Sequence, residues 1–284
     1  MSDLRQLKRK MKTVLGIQQI TRAMKMVASV RIKKAERAMR AAQPFAHKFK
    51  EVVDELCSQS AEVFHPLMEV HPEIKKILLL VLTSDKGLCG SYNSNVLRET
   101  QKFFLQHQDQ EIEIMALGVK GINFLSKRNF NLIKRLPGWE PTLDLSRELV
   151  GEIRDRYVKK EIDEVYLVYN FPQSTMVQKE TVLRLLPFRM EGEKAKPSSI
   201  LFEPSPGVIL RTLLPKYLEV MVYQVLLEAR AAELGSRLRA MTNATDNAQE
   251  FLNELRLKFF RARQETITNE ILEITSGAEA LRRA

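Results

Sequence analysis

Several residue types that build common functional sites are scarce in this sequence of 284 residues. It has two cysteines, Cys57 and Cys89, which are too few for a disulfide framework and are typical of a reducing compartment. The longest wholly aliphatic run, residues 77–82, is far shorter than the roughly 20 residues that a membrane-spanning helix needs. The charged start MSDLRQLKRKMK has no apolar segment after it, so it is not a secretory signal. We therefore expect a protein of the cytosolic type.

The motifs of the common catalytic and cofactor sites are also missing. Neither GxGxxG nor GxxxxGK[ST] occurs, and the stretch TSDKGLCGSYNSNV (residues 83–96) offers only GLCG between a predicted strand and a predicted helix. The four histidines have no metal-ligand spacing, and none lies beside Cys89 in the sequence. A cysteine just before a helix can be a nucleophile, but it needs a base, and the sequence identifies none. We therefore expect no catalytic, cofactor-binding or metal-binding residues.

Acidic residues are nearly absent from the first 50 residues, which hold fourteen Lys and Arg against Asp3 and Glu36. The whole chain has a net charge of +10, so all of the excess lies in this segment. A concentrated basic stripe predicts an acidic partner, which can be nucleic acid, anionic lipid or an acidic protein surface. The stretch RIKKAERAMR could follow phosphates along a helix, although it lacks interleaved aromatic residues and any recognised nucleic-acid-binding motif. A coiled-coil nucleic-acid-binding protein is therefore the alternative function.

Proline and glycine are nearly missing from long stretches at both ends of the chain. Residues 2–57 contain only Pro44 and Gly16, and apolar residues recur there at the spacings of three and four that mark one face of a helix. These apolar positions are Leu4, Leu7, Met11, Val14, Ile17, Ile20, Met24 and Val27. The pattern predicts one helix of about 55 residues, which would be roughly 80 Å long.

The C-terminal stretch after Pro215 has no further proline and is interrupted only by Gly235 and Gly277. It carries a stripe that steps alternately by four and three residues: Leu234, Leu238, Met241, Thr245, Ala248, Leu252, Leu255, Phe259, Ala262 and Thr266. A heptad stripe predicts a coiled coil, and its Thr and Ala residues bring helices close and fix their register at some cost in stability. Because the intervening domain returns the chain to near the end of the first helix, we expect the terminal helices to pair antiparallel.

Between the two helical regions, predicted strands and helices alternate. KKILLLVLTS and IEIMALG are predicted strands followed by helices at 93–107 and 119–128, and NLIKRLPG is a third strand candidate before a helix at 144–160. EVYLVYNFP and TVLRLLPF end the region with β-rich runs, and residues 191–206 are a predicted loop or linker. The pattern predicts an α/β domain on a partly parallel sheet. The predicted fold class is α/β plus a long antiparallel α-helical coiled coil: residues 1–73 the N-terminal helix, 74–206 a Rossmann-like α/β domain, and 207–284 the C-terminal helix.

Four segments in the order IQQITRAMKMVAS, TSDKGLCGSYN, MTNATDNA and RARQETITNEILEITSGAEAL give the chain a family resemblance. Over essentially its whole length it resembles the gamma subunit of the rotary F-type ATP synthase. The resemblance implies a non-catalytic rotor shaft that couples proton-driven rotation of the c ring to conformational change and ATP synthesis or hydrolysis at the beta subunits. Such a shaft also regulates ATPase activity and proton flow.

The resemblance implies partners and a location as well. The partners are the hexamer of alpha and beta subunits, the epsilon subunit and the c ring, with one copy of this chain per complex and no nucleic acid. The chain lacks an organellar transit peptide and the cysteine insert of the chloroplast form, which implies a bacterial subunit. It would lie on the cytoplasmic face of the cell membrane, associated peripherally through the complex.

The resemblance also implies which residues meet these partners. A positive collar on the first helix would face an acidic loop of the beta subunits: Lys25, Arg31, Lys33, Lys34 and Arg37. Further beta-subunit contacts are implied for Met24, Cys89, Arg237, Arg263, Gln264, Thr268 and Glu270. Glu203 would rest on the c ring beside epsilon, and an apolar bearing tip beyond the end of the first helix would consist of Ile271, Ile274 and Leu281. Ordinary helix packing or surface charge is the alternative for each residue.

Overall fold

Two long helices and a five-stranded sheet form most of the described chain. The computed structural model describes residues 2–59, 65–189, 203 and 205–283. The two predicted terminal helices are confirmed as α1 (Ser2–Gln59) and α5 (Pro206–Arg283), and most of the predicted linker at 191–206 lies outside the described residues. The elements between them are a 3₁₀ helix (Pro66–Met68), β1 (Lys76–Leu82), α2 (Tyr92–Gln106), β2 (Glu111–Leu117), α3 (Val119–Ser126), β3 (Leu132–Leu136), α4 (Leu143–Val158), β4 (Glu164–Pro172) and β5 (Gln178–Leu186).

The sheet has the strand order β3-β2-β1-β4-β5. The first four strands are parallel and β5 is antiparallel to β4, so the predicted partly parallel sheet is confirmed. Each connection between parallel strands passes through a helix, as such a crossover requires. The central strand β1 is buried at every position after Lys76, which explains why its sequence is a continuous apolar run rather than an alternating one.

Helices cover both faces of the sheet. One face packs Leu78, Leu80 and Leu82 against side chains of α1, α4 and α5. The other face packs Ile77, Leu79 and Val81 against α2 and α3. The two sets alternate along β1 because successive side chains of a strand point to opposite faces. The result is a three-layer α/β domain in which the long helices supply part of one layer.

The chain packs as two compact units, one made of residues 1–27 and 239–284 and the other of residues 28–238. In the first unit, Gln18 Nε2 donates to Gln249 Oε1 over 2.7 Å, and the hydroxyls of Thr21 and Thr245 lie 3.0 Å apart. A later residue of α1 therefore meets an earlier residue of α5, so these segments are antiparallel.

In the second unit, Ile32 packs with Ala231 and Leu234, and the rings of Phe49 and Tyr217 are 5.9 Å apart, which gives the same direction. The predicted antiparallel pairing is thus confirmed within each unit. The division at 1–73, 74–206 and 207–284 stays a prediction, since α1 and α5 each contribute to both compact units.

The seam of the first unit differs from the prediction on α1. The stripe of α5 is buried or half-buried along its length, as predicted. On α1, however, Ile17, Ile20 and Val27 are exposed, and the inward positions after Val14 are Gln18 and Thr21. The exposed row (Ile17, Ile20) and the inward row (Gln18, Thr21) both have the spacing of one helix face. Only the inward row places hydrogen-bonding partners opposite Gln249 and Thr245. The predicted apolar face was therefore wrong from Ile17 onward, except at half-buried Met24.

Asp163 ties the starts of two neighbouring strands together. Its Oδ2 accepts hydrogen bonds of 2.8 Å from the backbone N–H groups of Lys75 and Lys76, and its Oδ1 lies 2.7 Å from Nδ1 of His71. Burial on its own would raise the pKa of Asp163, but these hydrogen bonds outweigh burial and hold the pKa below its usual value. The carboxylate therefore stabilises the fold in its charged form.

We expect Asp163→Asn to lower the free energy of unfolding by about 1–2 kcal/mol at neutral pH, because the amide cannot accept all of these hydrogen bonds. The carboxylate's advantage is fully present above about pH 3.9, the pKa of an unfolded aspartate, and is lost as the pH falls through the lower native pKa. Urea unfolding of both proteins between neutral and acid pH measures the difference. Asp155→Asn is the control, because Asp155 forms a surface ion pair with neighbouring Arg154 and, among the described residues, its carboxylate joins no separate strands. An equal loss in both variants would contradict the role of Asp163.

Candidate functional site

The carboxyl edge of the parallel strands is filled by the protein's own side chains. Thr83 Oγ1 donates to Leu117 O over 2.9 Å and accepts from Gly121 N over 2.8 Å. A Cβ at Gly118, where φ is +93°, would lie 2.2 Å from Thr83 O, so only glycine fits there. Buried Trp139 donates from Nε1 to the same oxygen over 2.9 Å. This is the edge at which open α/β sheets bind ligands. Here Thr83 and Trp139 use their polar groups within the chain, whereas buried Asn170 Oδ1 on β4 has no hydrogen-bond partner among the described residues.

Asp85 completes the closure of this edge. Its Oδ1 accepts from Val119 N over 3.1 Å and from Gly138 N over 2.8 Å, which joins the turn after β1 to the segments after β2 and β3. The stretch that resembles a phosphate-binding turn thus uses its polar groups for internal contacts. Within the described ranges, no group of three His, Cys, Asp or Glu residues is arranged to hold a metal ion.

Neither cysteine is placed as a nucleophile. Cys89 is only 2% exposed, and its thiol lies near Asn93 Nδ2 at 3.2 Å, Ser84 Oγ at 3.6 Å and the carbonyl oxygen of Lys86 at 3.8 Å, none of which is a general base. Burial, with a smaller effect of Asp54, raises the pKa of the Cys57 thiol to about 11, so that it is protonated at neutral pH.

Two residues that the resemblance assigned to the beta-subunit contact have side chains that pack or bond within the chain, and their contact with a beta subunit stays a prediction. The Cys89 side chain is buried and offers no surface to a partner, whereas its neighbour Leu88 is 62% exposed with φ of +60°. The Arg237 side chain is 13% exposed and bonded within the chain, to Glu233 and to the carbonyl oxygens of Lys86 and Gly87. Sequence similarity locates both positions near this turn, but it does not show which way the side chains point.

The basic collar on α1 is largely free to meet a partner. Arg31, Lys33, Lys34 and Arg37 are exposed, while Lys25 and Met24 are half-buried. Glu36, the acidic residue within this stretch, accepts a hydrogen bond of 2.7 Å from Thr175 Oγ1. In the part of the chain that the structure describes, no carboxylate forms an ion pair with the four exposed cations. Their charge is therefore available to an acidic surface.

The C-terminal part of α5 is exposed on all sides. Residues 267–278 have exposed side chains, among them Thr268, Glu270, Ile271 and Ile274, and Leu281 is exposed as well. Arg263 and Gln264 are also exposed, as is Glu203 in its own segment. No described helix combines the length and hydropathy needed to cross a membrane.

Exposed apolar side chains also mark the outer surface of the helix pair in the unit of residues 1–27 and 239–284. Ile20 is 63% exposed, and Ile17, Val27, Phe251, Leu257 and Phe260 are exposed as well. Soluble proteins rarely expose so many large apolar residues without a partner that covers them. The chemistry of this surface is therefore that of an interface.

The comparisons with known proteins agree with this description. The family model described as ATP synthase matches residues 3–281. The ATP synthase gamma chain of Moorella thermoacetica is 41% identical over 99% of this chain and 100% of its own length, and that of Brevibacillus brevis is 40% identical over 98% of each chain. The chain therefore belongs to the ATP synthase gamma-chain family.

Solved structures show the same fold. A chain of the Tetrahymena thermophila mitochondrial ATP synthase central stalk and c ring matches with a TM-score of 0.60 and 26% identity, covering 79% of this chain and 99% of that one. A chain from the Euglena gracilis mitochondrial ATP synthase in rotational state 3 matches with a TM-score of 0.70 over 99% of this chain and 95% of its own. At 14% identity, the second likeness is one of fold alone. None of these names refers to nucleic acid, so they do not support the alternative function.

Sequence reasoning missed the residues that hold the turn against α5. Tyr92 and Ser236 are buried and bond between the α/β domain and this helix, and buried Glu233 bonds to Arg237, which reaches the turn. The available signal was Gly235, because a glycine inside a helix lowers its stability and so points to a packing reason at that position.

We expect Ile20→Ser to change the free energy of unfolding of the isolated chain by less than about 0.5 kcal/mol, because this side chain is exposed. Leu252→Ala on the seam of α5, where the side chain is 3% exposed, is expected to cost about 2–5 kcal/mol. Urea unfolding followed by circular dichroism distinguishes the two. If Ile20→Ser were as destabilising as Leu252→Ala, the seam would run through Ile20 as the apolar pattern predicted.

Proposed function

We propose that this chain is the central rotor shaft of a bacterial F-type ATP synthase. It would couple proton-driven rotation of the c ring to conformational change and to ATP synthesis or hydrolysis at the beta subunits. The observation that carries the proposal is the antiparallel helix pair of a gamma-chain family member, whose outer surface exposes a large set of apolar side chains. A shaft needs a surface that a surrounding sleeve covers, and this helix pair offers one.

We propose further that the chain has no active site of its own. The support is the closed carboxyl edge of the sheet, where Thr83, Asp85 and Trp139 use their polar groups internally. The function of the chain in the complex would be mechanical. Coupling then requires that the shaft make contacts of different free energy with the different conformations of the beta subunits.

The basic collar would meet the acidic loop of the beta subunits. Arg31, Lys33, Lys34 and Arg37 are the exposed members, and an exposed ion pair contributes only about 0–1 kcal/mol. Several such pairs, each weak, would oppose slipping of the rotor and would still break in turn as it rotates. At the turn after β1, Leu88 rather than Cys89 would make the contact, because Leu88 is the exposed side chain.

The C-terminal end of α5 would make two kinds of contact. Exposed Arg263, Gln264, Thr268 and Glu270 would grip one beta subunit through polar bonds. Ile271, Ile274 and Leu281 would form an apolar bearing, since an apolar surface without hydrogen-bonding groups can turn within an apolar sleeve with few directional contacts to break.

The remaining partners follow from the same function. We propose that the alpha and beta subunits form a hexamer around one copy of this chain. The epsilon subunit and the c ring would bind at the α/β domain, with Glu203 near the ring. The chain would lie on the cytoplasmic face of the cell membrane, attached peripherally through the complex. Affinity purification of the tagged chain from membrane extract tests this, and recovery of nucleic acid without alpha or beta subunits would overturn it.

We expect the double variant Arg263→Ala with Gln264→Ala to lower ATP-driven proton pumping by at least about fivefold, the lower end of the usual range for coupling between sites. The physical reason is the loss of polar contacts that distinguish one beta conformation from another. The measurement is proton pumping by the reconstituted complex. The double variant Arg256→Ala with Lys258→Ala removes exposed basic residues from the same helix and serves as the control. Equal effects of the two double variants, or unchanged pumping in the first, would remove the assignment.

A further inference from the structure

We propose that α5 residues 229–237 form a clamp through which torque passes between the α/β domain and helix α5. By the clamp we mean the contacts of this segment with the turn of residues 84–90, with Tyr92 and with the loop between β4 and β5. The inference rests on the proposed rotor function and assigns positioning roles to Tyr92, Gly235, Ser236 and Arg237. All of these residues belong to the compact unit of residues 28–238.

The turn after β1 is bonded to the helix through its backbone. Ser236 Oγ donates to Cys89 O over 2.7 Å in a buried position. Arg237 Nη2 donates to the carbonyl oxygens of Lys86 over 3.0 Å and Gly87 over 3.4 Å. Three carbonyl groups of one turn are thus held by two adjacent residues of α5. Because hydrogen bonds weaken quickly with distance and angle, these contacts fix the position of the turn along the helix.

Tyr92, at the start of α2, holds the domain to the helix at a second point. Its hydroxyl donates to Ala229 O over 3.1 Å, and the whole side chain is buried. Its own carbonyl accepts from Asn170 Nδ2 of β4 over 2.8 Å, also in a buried position. The bond to α5 is therefore continuous with the sheet, so a displacement of the helix would be resisted by the core of the domain.

Gly235 provides a third point, where backbone meets backbone. A Cβ at this position would lie 2.1 Å from Thr175 O in the loop between β4 and β5. A glycine weakens the interior of a helix, so its presence is explained by the close approach that it permits. Thr175 Oγ1 in turn donates to Glu36 Oε1 of α1 over 2.7 Å, so the same loop is bonded to the other long helix.

An ionic network centred on buried Glu233 aligns the arginines of the clamp. Glu233 is only 3% exposed on its side chain, and its two oxygens lie 2.6 Å from Arg237 Nη1 and 2.8 Å from Arg230 Nη1. Arg230 also reaches Glu140, which precedes α4, over 2.6 Å. Removing one partner of a buried charge is costly, so each guanidinium is held where its charge is needed.

These contacts suit load transfer because they are directional and come from separate parts of the domain. Apolar packing between a helix and a sheet resists separation but has no directional preference that opposes sliding. The turn and the β4–β5 loop instead hold one turn of α5, at residues 235–237, and Tyr92 holds the helix at Ala229, nearly two turns earlier. A rotating load on α5 would therefore be carried into the sheet at several points at once.

The reactivity of the Cys89 thiol reports whether the clamp is closed, because the clamp contacts bury this side chain. In the full chain with Cys57→Ala, so that Cys89 is the reactive thiol, we expect Gly235→Ala to raise the rate of maleimide labelling about tenfold, because local opening depends on the contacts that keep a region closed. Ser236→Ala should give a smaller increase in the same direction. Gly151→Ala is the matched control in helix α4, where an added Cβ meets nothing within 4 Å. Unchanged labelling in Gly235→Ala would overturn the proposal.

The second measurement, in the reconstituted complex, is the ratio of protons pumped to ATP hydrolysed. We expect this ratio to fall in Gly235→Ala and to stay at the wild-type value in Gly151→Ala. If the clamp had a role in folding alone, Gly235→Ala would lower the rates of proton pumping and of ATP hydrolysis by the same factor and leave their ratio unchanged. An unchanged ratio would overturn the torque assignment. If the Gly235→Ala chain does not assemble into the complex, the same ratio is measured in Ser236→Ala and Arg237→Gln. These two variants remove hydrogen bonds without adding atoms against the β4–β5 loop, and an unchanged ratio in both would overturn the torque assignment. A failure of the rotor function itself would appear in the wild type, as a chain that forms no pumping complex.

Discussion

A pair of threonines, Thr21 and Thr245, occupies a place in the helix seam where a more stable coiled coil would have leucine. Their hydroxyls lie 3.0 Å apart, and Gln18 and Gln249 make a second polar pair nearby. Such pairs lower the gain from apolar burial and favour one register, because a shift of one turn would separate the partners of both hydrogen bonds. The same choice of row turns Ile17 and Ile20 outward. The polar seam therefore creates the apolar outer surface on which the proposed function depends.

In the α/β domain, polar side chains bond within the domain at the edge where related sheets bind ligands. Its sheet has the strand order and crossover helices of a ligand-binding domain, but polar groups that could hold a ligand are used to join its own segments. Thr83 bonds to the end of β2 and to the start of α3, and Asp85 bonds to two further backbone N–H groups. The same strand–turn–helix geometry can cradle a phosphate or brace a structural domain. In this chain the paired polar groups support the second use.

Periodicity was sufficient to predict the two long helices and the central strand β1, because these elements are long or strongly apolar. The run of β1 and the heptad stripe of α5 each allow only one assignment, and the structure has both. The seam of α1 was not predictable in the same way. Gln18 follows Ile17 and Thr21 follows Ile20, so two adjacent rows had the same spacing, and the more apolar row is the wrong one. The choice between them depends on residues more than 200 positions away, Thr245 and Gln249.

Partner-contact residues were hardest to predict where a side chain next to an exposed turn packs or bonds within the chain itself. Arg237 and Cys89 lie next to an exposed turn, so their positions suggested a partner contact, but Arg237 bonds to the backbone of that turn and Cys89 is buried under it. An arginine suits this internal role because its planar group can donate to a carboxylate and to carbonyl oxygens at the same time. The exposed tip of the turn, Leu88, is thereby fixed relative to α5. If a partner presses on this tip, the force reaches the helix through Arg237 and Ser236 rather than through the long path along the chain.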